Sequence, residues 1–308
     1  MKKMLFCGAI LLGLFAAFHQ DIKVAQADSW INSKTLILYD ASSGRIPDTS
    51  LMSFADFPFG NILPVYSENV TIMDTTILGN ESFAGWVSST ATTLGFPILD
   101  RAAGVQVNFT MQVESEMHTR DTRSGFSVIV LDKDKQGIEL SFGENEIWAK
   151  SDDSTGGLFT RGEDVAFATT GMTEYQVTLI GDTYTLTANA QPLLSGPIRD
   201  YSAFDGFPDP YETANFLFLG DNTTSAQARI RLQFVSVTGS EPVLATNTSD
   251  PLLVASATPL LEPSPTAILT PHPTPTQPVV VLCPSSWLVG TATVASAMLS
   301  KKIWRGNR

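Results

Sequence analysis

The stretch SGFSVIVLDKDKQGIELSFGENEIWAK, residues 124–150, contains three short apolar runs separated by turn-forming residues. Runs rich in Val, Ile, Phe and Trp between Asp-, Gly- and Asn-bearing turns are typical of β-strands. We therefore predict strands over residues 125–131, 138–142 and 146–150. Residues 143–145, Gly-Glu-Asn, form a plausible hairpin link between the last two strands.

The alternation of side chains within these strands predicts which face meets the core, because successive residues of a strand point to opposite sides. Apolar residues occupy every second position of 138–142, and Ile147 and Ala149 do the same in 146–150. The opposite, outer face then carries five side chains of mixed chemistry: Glu139, Ser141, Glu146, Trp148 and Lys150. This pair of strands is therefore the predicted working face of the domain.

Short strand-like segments continue on both sides of this stretch. The further predicted strands are residues 35–39, 70–74, 105–113, 165–168, 175–180, 184–188, 215–219 and 230–237. Gly181 and Asp182 predict a tight hairpin turn between two of them. No run of ten or more residues in this region has a convincing helical period. Many short strands without helices indicate an all-β domain, either an antiparallel sandwich or a barrel.

The first 27 residues have the parts of a secretory signal peptide. Lys2 and Lys3 precede an uncharged run over residues 4–18, and Ala25-Gln26-Ala27 supplies a small-residue cleavage site. The alternative is an N-terminal membrane helix, but the run is shorter than the roughly 20 residues that a bilayer needs. We therefore predict an exported protein whose folded domain covers residues 28–240.

Charge and cysteine content restrict the class of protein further. The formal net charge is −12, of which residues 1–27 carry +2 and the last nine residues +4, leaving −18 on residues 28–299. So acidic a surface repels phosphate backbones, which argues against a nucleic-acid partner. Removal of residues 1–27 leaves Cys283 as the one remaining cysteine, so an apolar core rather than a disulfide must stabilise the domain.

The C-terminal residues change character twice. Residues 241–278 are rich in Pro, Thr and Ser, which predicts an extended linker. Residues 279–299 contain no charged side chain, and the basic tail 300–308 follows them. An uncharged span of this length before positive residues predicts a transmembrane helix or a processed sorting segment that anchors the protein to the membrane. An apolar docking peptide is the alternative.

Five segments of the chain resemble choice-of-anchor domains of secreted bacterial surface proteins. They are LYDASSGRIPD (38–48), SGFSVIVLDKDKQGIELSFGENEIWAK (124–150), LFTRGEDVAF (158–167), YQVTLIGDTYTLTANAQPLLSGPIRDYS (175–202) and NFLFLGDNTTSA (215–226). The resemblance covers nearly all of residues 35–238. It implies a two-sheet antiparallel jelly-roll sandwich, similar to concanavalin A-like and laminin-G-like domains, at the cell surface. It implies no particular activity.

The predicted outer face offers a hypothesis for ligand binding. Trp148 could stack on a sugar ring while Glu139, Ser141 and Glu146 accept hydrogen bonds from its hydroxyl groups. Arg161 and Glu163 could pair and pin a loop across the same face. The alternative is that a loop such as residues 156–163 covers Trp148, which then simply packs. The polar face predicts a non-catalytic module for extracellular polysaccharide or matrix, and the alternative predicts a structural surface protein.

Catalytic and metal chemistry have weaker support in the sequence. A glycoside hydrolase would need two carboxylates within about 5–10 Å, and Glu139 with Glu146 is the candidate pair. His118 is expected to be an exposed loop residue, since no second histidine or cysteine of the domain could complete a zinc site with it. Asp221, at the end of a predicted strand, is the best candidate ligand for calcium, which the resemblance makes plausible at a sandwich rim.

Overall fold

A computed structural model describes residues 33–57, 60–77, 82–152, 158–206 and 209–241. These residues form fifteen β-strands in two antiparallel sheets, and the described part of the chain contains no α-helix. The predicted all-β, two-sheet antiparallel sandwich is therefore confirmed. The predicted signal peptide, the anchoring segment 279–299, the basic tail and the linker beyond Glu241 lie outside the described residues. Among the described residues, no helix has the length and apolarity required to cross a bilayer.

The larger sheet has eight strands. They are β1 (Ser33–Asp40), β3 (Val65–Ser67), β4 (Val70–Asp74), β6 (Val105–His118), β11 (Thr173–Ile180), β12 (Thr183–Ala188), β13 (Gln191–Pro197) and β15 (Ala226–Ser240). Their order is β13-β12-β11-β6-β15-β4-β3, and β1 pairs with β15. The long central strands β6 and β15 are neighbours in this sheet, and a 3-10 turn, Ala41–Ser43, follows β1.

The smaller sheet has seven strands. They are β2 (Ser53–Phe57), β5 (Phe83–Ser89), β7 (Ser127–Leu131), β8 (Gly137–Phe142), β9 (Glu146–Lys150), β10 (Arg161–Ala166) and β14 (Phe216–Asp221). Their order is β10-β9-β8-β7-β14-β5-β2. The predicted hairpin between β8 and β9 is confirmed, with Ser141 opposite Trp148 and Phe142 opposite Ile147. The turn of Gly181 and Asp182 between β11 and β12 is confirmed as well.

The main core lies between the sheets and includes the alternate apolar residues that the sequence assigns to it. Ile138, Leu140 and Phe142 of β8 are all fully buried there. Phe142 packs edge-on against Phe109 and Tyr175, with ring centroids 5.9 and 5.3 Å away. Aromatic pairs in this geometry add to the burial of apolar area as a source of stability.

A second hydrophobic cluster covers the opposite, outer face of the smaller sheet. Its members are Ile129, Leu131, Phe159, Tyr201, Tyr211, Phe216 and Phe218. Every residue of β7 is consequently buried, because its odd and even positions meet different clusters. The smaller sheet thus has apolar packing on both faces, which an antiparallel sheet does not require.

Four strands have no counterpart in the sequence prediction: β2, β3, β5 and β13. The last of these contains Pro192 and Pro197, which argue against a central strand. It lies at the end of the larger sheet, where one side needs no hydrogen-bonding partner, and proline is tolerated in that position.

Candidate functional site

The predicted working face is largely buried. Glu139, Ser141 and Trp148 have 0% exposure and Lys150 has 1%. The strand phase is as predicted, since Ile147 and Ala149 belong to the main core while these side chains point away from it. The expectation that the outer face is open is wrong, because the segments that carry Phe159, Tyr201 and Tyr211 pack over it.

Trp148 is covered by cationic side chains. The Arg161 guanidinium lies 4.2 Å from the centre of the indole ring and the Lys150 ammonium 5.7 Å. His118 approaches edge-on, with its ring centroid 6.4 Å away. Cations over an indole face gain electrostatically from the ring quadrupole, so this arrangement is favourable in itself. Trp148 therefore has no open face for stacking on a sugar, and the packing alternative describes this residue.

Arg161 and Glu163 do not pair with each other. Arg161 donates to Glu146 at 2.5 Å, whereas Glu163 accepts from Arg199 at 2.9 Å and from the Tyr184 hydroxyl at 3.2 Å. A bulge in β10 explains the separation, because the register with β9 shifts between Arg161 and Asp164. One extra residue in a strand reverses the faces of those that follow it, so Arg161 and Glu163 point to different sides.

Glu139 is held in a buried polar network. Its carboxylate accepts from the Tyr211 hydroxyl and, at 3.1 Å, from the side-chain amide of Asn222. Its backbone N–H donates to the Tyr201 hydroxyl at 3.2 Å, and that hydroxyl donates to the Lys150 carbonyl at 2.8 Å. Buried polar groups are stable only when paired in this way. Glu139 is out of reach of solvent, so it cannot act with Glu146 as a pair of hydrolytic carboxylates around a bound substrate.

An open cleft lies beside this covered face, and we call it the acidic cleft. Its volume is about 380 Å³. The polar residues that line it are Glu116, His118, Glu144, Asn145, Glu146 and Asp164. The end of β6, the β8–β9 turn and β10 supply these side chains. Of the predicted ligand-binding residues, Glu146 lines the cleft, and Arg161 forms an ion pair with Glu146.

Glu116 is a nearly enclosed carboxylate of the cleft, with its side chain 4% exposed. It lies 2.9 Å from His118 Nδ1, and it accepts from the Gly125 N–H at 3.1 Å. Burial raises the pKa of the Glu116 carboxyl, and the nearby charge of Glu144 adds to the effect. The Glu144 carboxylate in turn accepts from the Glu116 backbone N–H at 3.0 Å. These hydrogen bonds hold the β8–β9 turn against the end of β6.

Sequence reasoning did not find Glu116, Glu144 or Asp164 as members of a site. His118 is exposed as predicted, but it ends β6 instead of lying in a loop. The predicted strand ends at Val113, whereas residues 115–118 continue to pair with β15. Glu114 lies in a β-bulge between Val113 and Ser115, which breaks the alternation, so the period of the side chains does not indicate that the strand continues.

Asp221 is fully buried at the end of β14 and accepts from the Thr223 N–H at 3.1 Å. Burial raises the pKa of its carboxyl well above the ordinary value. Over the ranges that the structure describes, no three His, Cys, Asp or Glu side chains come together as metal ligands. A calcium site at Asp221 stays a prediction.

Lys150 gives the fold a specific pH dependence. Burial lowers the pKa of its ammonium from 10.5 to about 8, with Glu139 opposing the shift and Arg123 and Arg161 adding to it. Between these values the unfolded chain holds the proton and the folded chain releases it, so stability rises with pH. We expect the free energy of unfolding to increase by about 2 kcal/mol between pH 7 and 9.5.

Urea unfolding of the full-length chain at several pH values measures this increase, with Lys150→Met as the matched control because it has no proton to lose. The range ends at pH 9.5 because burial raises the pKa of Tyr175 to about 12, and such tyrosines lower stability in more alkaline solution. If the wild type and Lys150→Met vary in parallel over this range, the assignment to Lys150 is wrong.

Comparison with known proteins gives likenesses of fold. No protein-family model matches the chain. A comparison with curated proteins also finds no match. Among solved structures, a carbohydrate esterase of the Shiga toxin-encoding bacteriophage phi24B is similar over 68% of this chain and 100% of its own, with 13% identity and a TM-score of 0.44.

Two further solved structures have a similar layout. A protein of unknown function from Shewanella oneidensis MR-1 is 10% identical, covers 78% of this chain and 97% of its own, and has a TM-score of 0.41. The exoplasmic/lumenal domain of VIP36, in its Ca²⁺/Man-bound form, is 10% identical over 69% of this chain and 91% of its own, with a TM-score of 0.38.

Proposed function

We propose that this chain is a non-catalytic surface module that binds glycans through the acidic cleft. The observation that carries the proposal is the convergence of four carboxylates, Glu116, Glu144, Glu146 and Asp164, on one open cleft. Carboxylates are strong hydrogen-bond acceptors, and sugar hydroxyls are abundant donors. Asn145 supplies both donors and acceptors at the same place. Such a cleft suits neutral, hydroxyl-rich chains better than phosphorylated ones.

The location at the cell surface belongs to the same proposal. Residues 1–27 direct export, and residues 279–299 anchor the chain beyond the Pro-rich linker 241–278. A choice-of-anchor type protein, in which one folded domain is held at the surface by a C-terminal tether, has this organisation. The linker would keep the cleft away from the membrane and in contact with extracellular polysaccharide.

A structural surface protein without a small ligand is the second candidate. The coverage of Trp148 by Arg161, Lys150 and His118 favours it, because a stacking aromatic residue is absent from the place where the sequence suggested one. The two candidates differ in a simple respect. A glycan-binding module loses affinity when a carboxylate of the acidic cleft is neutralised, and a structural protein has no such affinity to lose.

A glycan array probed with the full-length chain tests the proposal. Asp164 is exposed and makes no ion pair within the described residues, so Asp164→Asn changes the cleft without disturbing the fold. We expect this variant to bind its glycan about tenfold more weakly, as the loss of one charged hydrogen bond predicts. Glu174→Gln, an exposed neutralisation on β11 of the other sheet, is the matched control and should bind like the wild type. Absence of binding to every glycan, or equal binding by both variants, would contradict the proposal.

A further inference from the structure

A second pocket lies on the outer side of the smaller sheet, next to the second hydrophobic cluster, and we call it the aromatic pocket. Its volume is about 170 Å³. Its lining includes two polar side chains and four aromatic ones: Arg123, Asn222, Phe83, Phe159, Phe204 and Tyr211. None of these six lines the acidic cleft. The two pockets can therefore be altered independently.

Arg123 gives the aromatic pocket its cation. Its guanidinium lies 5.1 Å from the centre of the Phe159 ring. In the described ranges it forms no ion pair, whereas the half-buried Arg101, Arg199 and Arg231 each pair with a carboxylate. Because no carboxylate of the described residues engages Arg123, its planar fork of donors is available to a ligand on this acidic chain of net charge −12.

The charge beneath the pocket also favours an anion. The buried Lys150 ammonium interacts electrostatically both with Arg123 and with the carboxylate of Glu139. Arg123 and Lys150 thus stand against one interacting carboxylate, Glu139, and the burial of Lys150 and Glu139 weakens the screening of their two charges by solvent. This local positive balance contrasts with the four carboxylates of the acidic cleft.

Glu139 determines which polar groups the pocket offers. Its carboxylate accepts one hydrogen bond from the Tyr211 hydroxyl and one from the side-chain amide nitrogen of Asn222. These two donors are therefore already occupied below the pocket. The Asn222 amide is thereby oriented, because only its nitrogen can donate to the carboxylate. Its carbonyl oxygen is left as an acceptor for a ligand hydroxyl. Glu139 is thus a positioning residue, because it orients the Tyr211 hydroxyl and the Asn222 amide. This role gives a reason for burying a carboxylate on the face of a sheet.

We propose that the aromatic pocket binds a sugar ring that carries a carboxylate, such as a uronic acid. The carboxylate pairs with the Arg123 fork, the apolar face of the ring packs on Phe204 and Tyr211, and a hydroxyl donates to Asn222. The volume of about 170 Å³ equals that of roughly six water molecules, which suits one sugar ring. The inference rests on the proposed function for the class of ligand, but it depends on different residues.

NMR titration of the full-length chain with the methyl glycoside of glucuronic acid tests the inference, with methyl glucoside as the uncharged probe. We expect the glucuronide to bind at least tenfold more tightly than the glucoside. Arg123→Gln should remove this preference, and Arg120→Gln, an exposed loop arginine with the same change of charge, should keep it. Equal binding of both sugars, or an unchanged preference in Arg123→Gln, would overturn the inference.

Two further arms separate the alternatives. Methyl glucoside 6-sulfate should bind at least tenfold more weakly than the glucuronide. Equal binding would overturn the assignment to a carboxylate, because the pocket would then take any anion. Asp164→Asn should bind the glucuronide like the wild type, since Asp164 lies in the acidic cleft. A uronate preference that requires Arg123, together with array binding that Asp164→Asn leaves unchanged, would refute the acidic cleft alone. Array binding that Asp164→Asn weakens, together with no uronate preference, would refute the aromatic pocket alone.

Discussion

Gly137→Ala is expected to lower the free energy of unfolding by about 3 kcal/mol or more, as a forced clash between backbone segments does. A Cβ atom at this position would lie 1.8 Å from the Val130 carbonyl oxygen and 3.0 Å from the Leu131 Cα. Both contacts are with backbone, so no side-chain rotation relieves them. Gly137 also exchanges backbone hydrogen bonds with Arg199 at 3.0 and 2.8 Å. A shift of Gly137 would therefore disturb the β7–β8 hairpin and the segment that covers the sheet together.

Gly171→Ala is the matched control for this substitution. No atom lies within 4 Å of a Cβ built on Gly171, and its φ is not in the left-handed region. Alanine should be neutral there or stabilise by up to about 1 kcal/mol, through the smaller entropy of the unfolded chain. Urea unfolding of the two full-length variants, followed by the fluorescence of the buried Trp86 and Trp148, measures the difference. Similar midpoints for both variants would show that the close approach at Gly137 is relieved at little cost.

Glu139→Ala is expected to cost about 3–5 kcal/mol, the range for removing one partner from a buried charged network. The variant leaves the Tyr211 hydroxyl and the Asn222 amide without their acceptor. It also removes the negative charge that favours the buried Lys150 ammonium. Glu212→Ala, which breaks an exposed ion pair with Lys135, is the control and should cost less than about 1 kcal/mol.

A double substitution distinguishes the loss of a charge from the loss of packing at Glu139. The charge of Glu139 favours the Lys150 ammonium, although the hydrogen bond of that ammonium goes to the Thr122 carbonyl. Removing one of two interacting buried charges leaves the other uncompensated, whereas replacing both by apolar residues costs less. We therefore expect Glu139→Leu with Lys150→Met to unfold at a higher urea concentration than Glu139→Leu alone, with a coupling energy of about 1–3 kcal/mol. Additive effects in the double-mutant cycle would mean that Glu139 and Lys150 act independently.

Glu139 also illustrates how far the sequence predicts the candidate sites. Its strand and its face follow from alternation with Ile138 and Leu140, which is a local property. Its burial does not follow, because Tyr201 and Tyr211 cover it from positions more than 60 residues away. The acidic cleft has the same origin: Glu116 and Glu144 are 28 residues apart in the chain and meet only because the end of β6 lies against the β8–β9 turn. No spacing in the sequence indicates either contact.

The sequence by itself determined the all-β class, most strand positions, the division between core-facing and outward-facing residues, and the excess of acidic charge. These are consequences of side-chain period and composition, which act within a few residues. It did not determine β5, because this strand lacks a clear alternation of apolar and polar residues. Gly85 occupies a position where a side chain would meet the Phe218 ring, and Ser88 is a buried polar residue whose hydroxyl donates to the Leu51 carbonyl.

Only the tertiary structure decided that the outward face of β8 and β9 is covered. An antiparallel sheet is stable with one face in water, so a polar pattern on that face is compatible with exposure and with a second packed layer alike. The choice depends on whether distant segments can bury enough apolar area to offset the entropy of ordering them. In this protein Phe159, Tyr201 and Tyr211 do so, and the acidic cleft and the aromatic pocket are the surfaces for which we propose binding.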